Sequence, residues 1–221
     1  MLDEDAPSDW ERTTTAELIR EGVLEIGDGY RAKNSEFVID GGLPFVRVGD
    51  VGHRIETEDR DELPLIKRMN YEPKVSRVDD TLITMKGTVG RVARVLRSTA
   101  TFVYSPQISY WRVHDRSRLD PRFVSCWLRS PAFIRQAFAT KSATDMADYI
   151  NLRDQRSMRI VLPPIDVQKR IGDAFGLIEE LIEINELRNR RLRTARDLLL
   201  PRLLAGRLDL NIDGIDLHKL E

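Results

Sequence analysis

Along the first half of the chain, apolar and polar residues alternate in short runs separated by turn residues. Residues 12–26, RTTTAELIREGVLEI, open with a threonine run, and Thr14 or Thr15 is expected to cap a short helix through Leu18 and Ile19, with Glu17 in its first turn. Residues 27–37 (GDGYRAKNSEF) have turn residues without a helical period and read as a loop. LPFVRVGDV (43–51) alternates like a strand running into a turn, and the charged, irregular stretch 52–74 reads as loop. Residues 78–96, VDDTLITMKGTVGRVARVL, hold two β-rich runs around KGTVG, which predicts a hairpin in which Gly87 and Gly90 take positive φ angles. TFVYSPQISYWRV (101–113) reads as strand, break at Pro106, strand.

Helical spacing then appears in residues 120–143, through Phe123, Trp127, Phe133, Ile134 and Phe138, with a restart at Ser130-Pro131. Trp111 and Trp127 are expected in the core. Residues 145–164 run from loop into a short strand, MRIVL, stopped by two prolines; Asn151 is expected to satisfy backbone groups in a turn. From Ile165 to Leu200 the period stays helical for about 36 residues, or about 54 Å, longer than globular helices usually run. Pro201 is expected to kink or end this helix, with Gly206 as a natural terminator just beyond it. The fold class predicted is α+β: a β-rich domain over 1–164, a long helix over 165–205 and a flexible polar tail over 206–221.

The long helix is acidic at one end and basic at the other. IEELIEINELRNRRLRTAR (178–196) carries Glu179, Glu180, Glu183 and Glu186, then Arg188, Arg190, Arg191, Arg193 and Arg196. A parallel copy would set like charges side by side; an antiparallel one, centred near residue 187, sets opposite charges together. Each exposed pair contributes only about 0–1 kcal/mol, yet several together choose an orientation. The expectation is an antiparallel coiled coil with a second copy or with a matching segment of a related chain. Its contacts are expected from Ile171, Ile178, Leu181, Ile182 and Leu192, with Glu179 and Glu183 facing Arg190, Arg191 and Arg193. Asn185, polar within the apolar seam and close to the centre, would fix register. Arg188 interrupts the seam, so a regular heptad zipper is not expected. The competing reading is a solvated amphipathic helix packed on its own domain.

Composition changes the picture once it is divided. The whole chain of 221 residues has a formal charge of −1, but residues 1–30 carry a balance of −7 and residues 31–160 one of +7. The basic middle points to a polyanion, and DNA is the commonest such partner. No apolar run approaches the length of a membrane span, and the acidic N-terminus lacks the pattern of a signal peptide. The single Cys126 excludes an intrachain disulfide and fits a reducing compartment, so the cytoplasm is the expected location.

Four stretches bear on family: LPFVRVGDV (43–51), DDTLITMKGTVGR (79–91), the run from KSATDMADYINLRD (141–154) to RIVLPPIDVQKRI (159–171), and the helix ending LLLPRLLAGRLDL (198–210). In this order and spacing they resemble the specificity subunit of type I restriction-modification systems. In that family "GD" followed by "G-T-x-G" marks the target recognition domain, and "I-N", a short strand, "P-P" and "Q-K-R-I" lead into a spacer helix. The usual member has two recognition domains and two spacer helices; this chain has one of each, and so looks like a half-length subunit. The resemblance implies a non-catalytic DNA-recognition subunit. It would position a methyltransferase subunit, which uses S-adenosylmethionine, and through it an ATP-dependent restriction subunit, on double-stranded DNA. A homodimer would read an inverted repeat with spacing set by the helices.

For DNA contact, the candidates are Lys86, Thr88 and Arg91 on the hairpin, Lys141, Ser142 and Thr144 in a polar loop, Arg31, Lys33 and Asn34 in a basic loop, and Arg54. The bland alternatives are a plain hairpin turn, a surface linker and solvated charge. Catalytic signatures are missing. The only Pro-Pro has Leu162 before it and Ile165 after, unlike an adenine methyltransferase motif, and no glycine-rich nucleotide loop follows a strand. His53, His114 and His218 are scattered, so neither metal nor cofactor is expected. The alternatives are a coiled-coil assembly scaffold without DNA specificity and an enzyme domain with an unrecognised site.

Overall fold

The computed structural model describes residues 7–139 and 150–205, with the side chain of Glu183 excepted. The elements run β1 (Glu11–Thr14), α1 (Thr15–Arg20), β2 (Leu24–Asp28), β3 (Gly42–Val46), β4 (Glu62–Pro64), α2 (Arg68–Tyr71), β5 (Thr81–Thr84), β6 (Val92–Arg94), β7 (Val103–Tyr104), β8 (Ile108–Val113), α3 (Pro121–Leu128), α4 (Pro131–Ala139), α5 (Leu152–Gln155), β9 (Arg159–Leu162) and α6 (Ile165–Leu204). The expected architecture, β-rich and then one long helix, is the observed one.

Local signals explain several boundaries. Thr14 caps α1: its hydroxyl accepts from the Glu17 N–H at 3.2 Å, and the Glu17 carboxylate accepts from the Thr14 N–H at 2.9 Å. The hairpin of β5 and β6 turns through Gly87 (φ 82°) and Gly90 (φ 87°), as its sequence predicts. Pro131 opens α4, and Asp120 caps α3 by accepting from the N–H groups of Arg122 and Phe123. Asn151 caps α5 by accepting from the Asp154 N–H at 2.7 Å.

Three sheets form. β1 pairs with β9; β2, β8, β5 and β6 make an antiparallel sheet; β4, β3 and β7 make a mixed one in which β3 and β7 run parallel. The four-stranded sheet is covered on both faces. Ile83 and Trp111 join Leu18, Phe123, Trp127 and Phe133 under the helices, while Leu82, Ile108 and Tyr110 join Val46, Phe102 and Tyr104 toward the three-stranded sheet. Adjacent strand residues point to opposite faces, so a doubly covered strand reads as uniformly buried, as all four residues of β5 are. The stretch 52–74, expected as loop, instead supplies β4, α2 and short 3-10 turns; Leu63 and Tyr71 are its buried anchors, and their apolar contacts outweigh the local charge.

The start of α6 is locked to the domain by Gln168, which is 1% exposed. Its amide oxygen accepts from the Asp120 N–H at 3.0 Å, and its NH₂ donates to the carbonyls of Pro163 (2.8 Å) and Arg118 (3.2 Å). This is the physical content of the Pro-Pro…Gln spacing: the amide satisfies backbone groups that would otherwise be buried unpaired. Gly172 permits close approach, since a Cβ there would meet Arg122 and the Asp120 carboxylate at 2.8 Å. Glu179 then receives Arg94 (3.1 Å) and Arg129 (3.1 Å).

The chain divides into two compact units with the boundary between Glu179 and Glu180, so about four turns of α6 belong to the first. The helix has 40 residues, about 60 Å. Pro201 does not end it. Because Pro201 lies one turn from the end, a single intrahelical N–H bond is lost, and its carbonyl still accepts from the Ala205 N–H at 3.0 Å. Gly206 and the polar tail lie outside the described residues. In the second unit Leu181, Leu192 and Leu198 stand 59%, 67% and 60% exposed.

Candidate nucleic-acid interface

A cleft of about 780 Å³ opens where the 31–37 segment, the end of β3, Lys86 just beyond β5 and the β7–β8 turn converge. Three sequence candidates line it: Arg31, Asn34 and Lys86. Phe37 and Phe45 wall it, and Ser105 and Gln107 come from the turn between β7 and β8. Among the described residues, no carboxylate lines it. Arg31, Asn34, Lys86 and Gln107 are exposed, and their side chains have no partner among the described residues.

Arg47 also lines the cleft but is committed elsewhere. Its guanidinium lies 5.2 Å from the ring centroids of both Phe37 and Phe45 and donates to Asp61 at 2.6 Å. It stiffens the aromatic wall. The 31–37 segment is held by Glu36, which accepts from the Lys33 N–H (2.6 Å) and from the Tyr30 hydroxyl (2.8 Å); these two bonds keep its carboxyl below the usual carboxylate range.

The family-like motifs hold this geometry. Asp50, of the Gly-Asp pair, accepts from the Arg47 N–H at 2.8 Å and pairs with Arg60 at 2.8 Å. The Thr84 hydroxyl accepts from the Arg91 N–H at 3.0 Å across the hairpin, and the Met85 N–H donates to the Gln107 carbonyl at 2.8 Å. That last bond brings Lys86 and Gln107 together. Ile150, just before the Asn151 cap, is buried, and its N–H donates to the Met85 carbonyl at 3.1 Å.

The remaining candidates are placed differently. Arg91 donates to the Val51 carbonyl at 2.9 Å, which ties the hairpin to the 48–55 loop. Thr88 is exposed on the hairpin, with its carbonyl accepting from Thr84. Lys33 is exposed beside the cleft segment, and Arg54 pairs with Glu58 at 3.6 Å. Lys141, Ser142 and Thr144 lie outside the described residues, as does the side chain of Glu183. Of the proposed pairing residues, Ile171 packs against the helical side of the domain core, and the Glu179 carboxylate is engaged by Arg94 and Arg129 of its own chain. Ile178, Leu181, Ile182 and Leu192 are exposed, as are Asn185, Arg190, Arg191 and Arg193.

Sequence reasoning missed Arg47, Ser105 and Gln107. In the sequence each belongs only to a strand or a break; the cleft joins segments far apart in the chain, and only the parallel pairing of β3 with β7 brings them together. Trp111 and Trp127 are core residues as expected, 1% and 6% exposed. Among the described residues there is no cluster of three or more metal-ligating acidic, His or Cys side chains, and no helix is long and apolar enough to cross a membrane.

The cleft is basic and aromatic-walled, and the β-rich domain that carries it leads into a long helix. No family model matches the chain. The MjaIX type I restriction enzyme specificity subunit of Methanocaldococcus jannaschii is 23% identical over 210 residues, covering 94% of this chain and 46% of the relative. The HindI specificity subunit of Haemophilus influenzae is 24% identical over 207 residues, covering 91% and 42%. In fold, the chain is similar to the type I restriction-modification S subunit from M. genitalium, with a TM-score of 0.59 at 14% identity over 91% of this chain and 48% of the other. The resemblance read from the sequence motifs is therefore borne out, and the chain spans just under half the length of these relatives.

Proposed function

We propose that this chain is the sequence-recognition subunit of a type I restriction-modification complex, with a single target recognition domain. The observation that carries the reading is the cleft: Arg31 and Lys86 stand beside Asn34 and Gln107, and among the described residues all four side chains are without a partner and no carboxylate lines the cleft. Cations supply attraction to phosphate, and amides supply hydrogen bonds to base edges. The similarity to specificity subunits supports the same reading. The chain has no catalytic role in this account; it positions a methyltransferase subunit, and through it a restriction subunit, on double-stranded DNA.

Two copies would restore the two recognition domains, joined by antiparallel pairing of α6. A two-fold axis at residue 187 sets Ile182 opposite Leu192, Phe175 opposite Leu199 and Asn185 opposite Asn189. It also sets Glu186 opposite Arg188. Ile178 falls opposite Arg196, whose aliphatic stem can cover it. The exposure of Phe175 (45%), Ile182 (37%), Leu192 (67%) and Leu199 (45%) supports a partner along this seam. Glu179, committed within its own domain, is not needed for it.

The test is co-expression with the cognate methyltransferase subunit, followed by genome-wide mapping of modified adenines. A motif that appears only when this chain is present supports the proposal. Partner binding without any motif would indicate a scaffold instead.

A further inference from the structure

We propose that Gln107 is the principal base-reading side chain of the cleft, with a preference for adenine; this rests on the DNA-recognition reading above. The groups lining the cleft divide by what already holds them. Arg47 is held by Asp61 and two phenyl rings, so its charge is spent inside the protein. Arg31 and Lys86 have no partner among the described residues, and a free cation at a cleft rim serves any phosphate regardless of sequence. That leaves the amides. An amide presents a donor and an acceptor together, which matches the N6 and N7 edge of adenine in the major groove.

Gln107 is the better placed of the two. It sits on the short turn between β7 and β8, behind Pro106, whose ring fixes φ. Its carbonyl accepts from the Met85 N–H at 2.8 Å, and the Ile108 N–H closes the turn on the Ser105 carbonyl at 3.0 Å. The backbone is therefore pinned on both sides of the turn, while the side chain is exposed and has no partner among the described residues. A reader needs this combination, since a mobile base would lose discrimination. Ser105, two residues earlier, is 4% exposed, and its hydroxyl is buried without a hydrogen-bond partner among the described residues. A buried unpaired hydroxyl is costly and calls for an incoming partner. Asn34 stands on the capped 3-10 turn of the facing segment and is assigned a supporting contact.

The experiment maps adenine methylation in cells co-expressing the methyltransferase subunit with the full-length chain, unaltered or carrying Gln107→Ala, Gln107→Glu or Lys86→Ala. Gln107→Ala is expected to keep the motif but relax one adenine position in each half-site, with discrimination there falling about tenfold to a hundredfold. Gln107→Glu, nearly isosteric, has only acceptors and is expected to move that position toward cytosine. Lys86→Ala is expected to lower occupancy with the motif unchanged. An unchanged motif with both Gln107 variants overturns the assignment while leaving DNA recognition intact. No motif with the unaltered chain overturns both.

Discussion

Arg112 grips Asp80 through two hydrogen bonds, from Nε at 2.8 Å and from Nη2 at 2.7 Å, with the two side chains 5% and 1% exposed. The Tyr104 hydroxyl donates to the same carboxylate at 2.8 Å, and Arg112 also donates to the Val75 carbonyl at 2.9 Å. This network joins β8 to the residue preceding β5. Asp80→Ala leaves the buried guanidinium with only the longer Glu25 contact at 3.8 Å as its charge partner and is expected to cost about 3–5 kcal/mol. The check is a urea unfolding curve, where the midpoint falls and the slope stays constant. A midpoint within error of the unaltered chain would show the pair to be dispensable.

Burial pushes the Cys126 thiol up to about 11, with the nearby Glu179 charge adding to it and Arg129 opposing it. Its thiolate is therefore scarce at pH 8, and the rate of alkylation by iodoacetamide should still be climbing between pH 9 and pH 10. A rate that levels off near the ordinary thiol range would contradict this environment.

Arg31 and Lys86 are assigned phosphate contacts. Replacing either by alanine should weaken DNA binding across all sequences and reduce the slope of log affinity against log salt by about 0.9. Fluorescence anisotropy over a salt series measures this. An unchanged slope would remove that residue from the interface. Arg91→Ala should behave differently, since Arg91 holds the Val51 carbonyl: its main effect is on the hairpin, seen as lower thermal stability.

Swapping Arg190, Arg191 and Arg193 to Glu should weaken self-association in sedimentation experiments. Mixing with a chain carrying Glu180→Lys and Glu183→Lys should restore it, because in this register position 183 falls opposite Arg191 and position 180 next to the one opposite Arg193, so opposite charges face each other again. A sedimentation profile indifferent to the first swap would argue against antiparallel pairing.

Much of the domain was legible because its signals are local. The Thr14–Glu17 capping box, the Gly87 and Gly90 turn, the Pro131 restart and the Asn151 cap each need only a few neighbouring residues. The α6 helix was legible because its period persists over many turns. The features that escaped depend on distant partners. The β3–β7 parallel pair has no local signature, and it alone carries Arg47 beside Ser105 and Gln107. Gln155 was equally silent: its side chain receives both the Ser109 hydroxyl (2.7 Å) and the Trp111 indole N–H (2.9 Å) inside the core. The helix bounds of 165–205 read from the sequence lie within one residue of Ile165–Leu204, and Pro201 does not end the helix, because a proline one turn from a helix terminus removes too little to stop it.

The symmetry of the recognised sequence tests the central claim most directly. Adenine methylation mapped in a host that expresses this chain as the sole specificity subunit, with its methyltransferase, should reveal two identical half-sites in inverted orientation, separated by a spacer of constant length. Two unlike half-sites, or a single uninterrupted site, would contradict a pair of copies held antiparallel by α6.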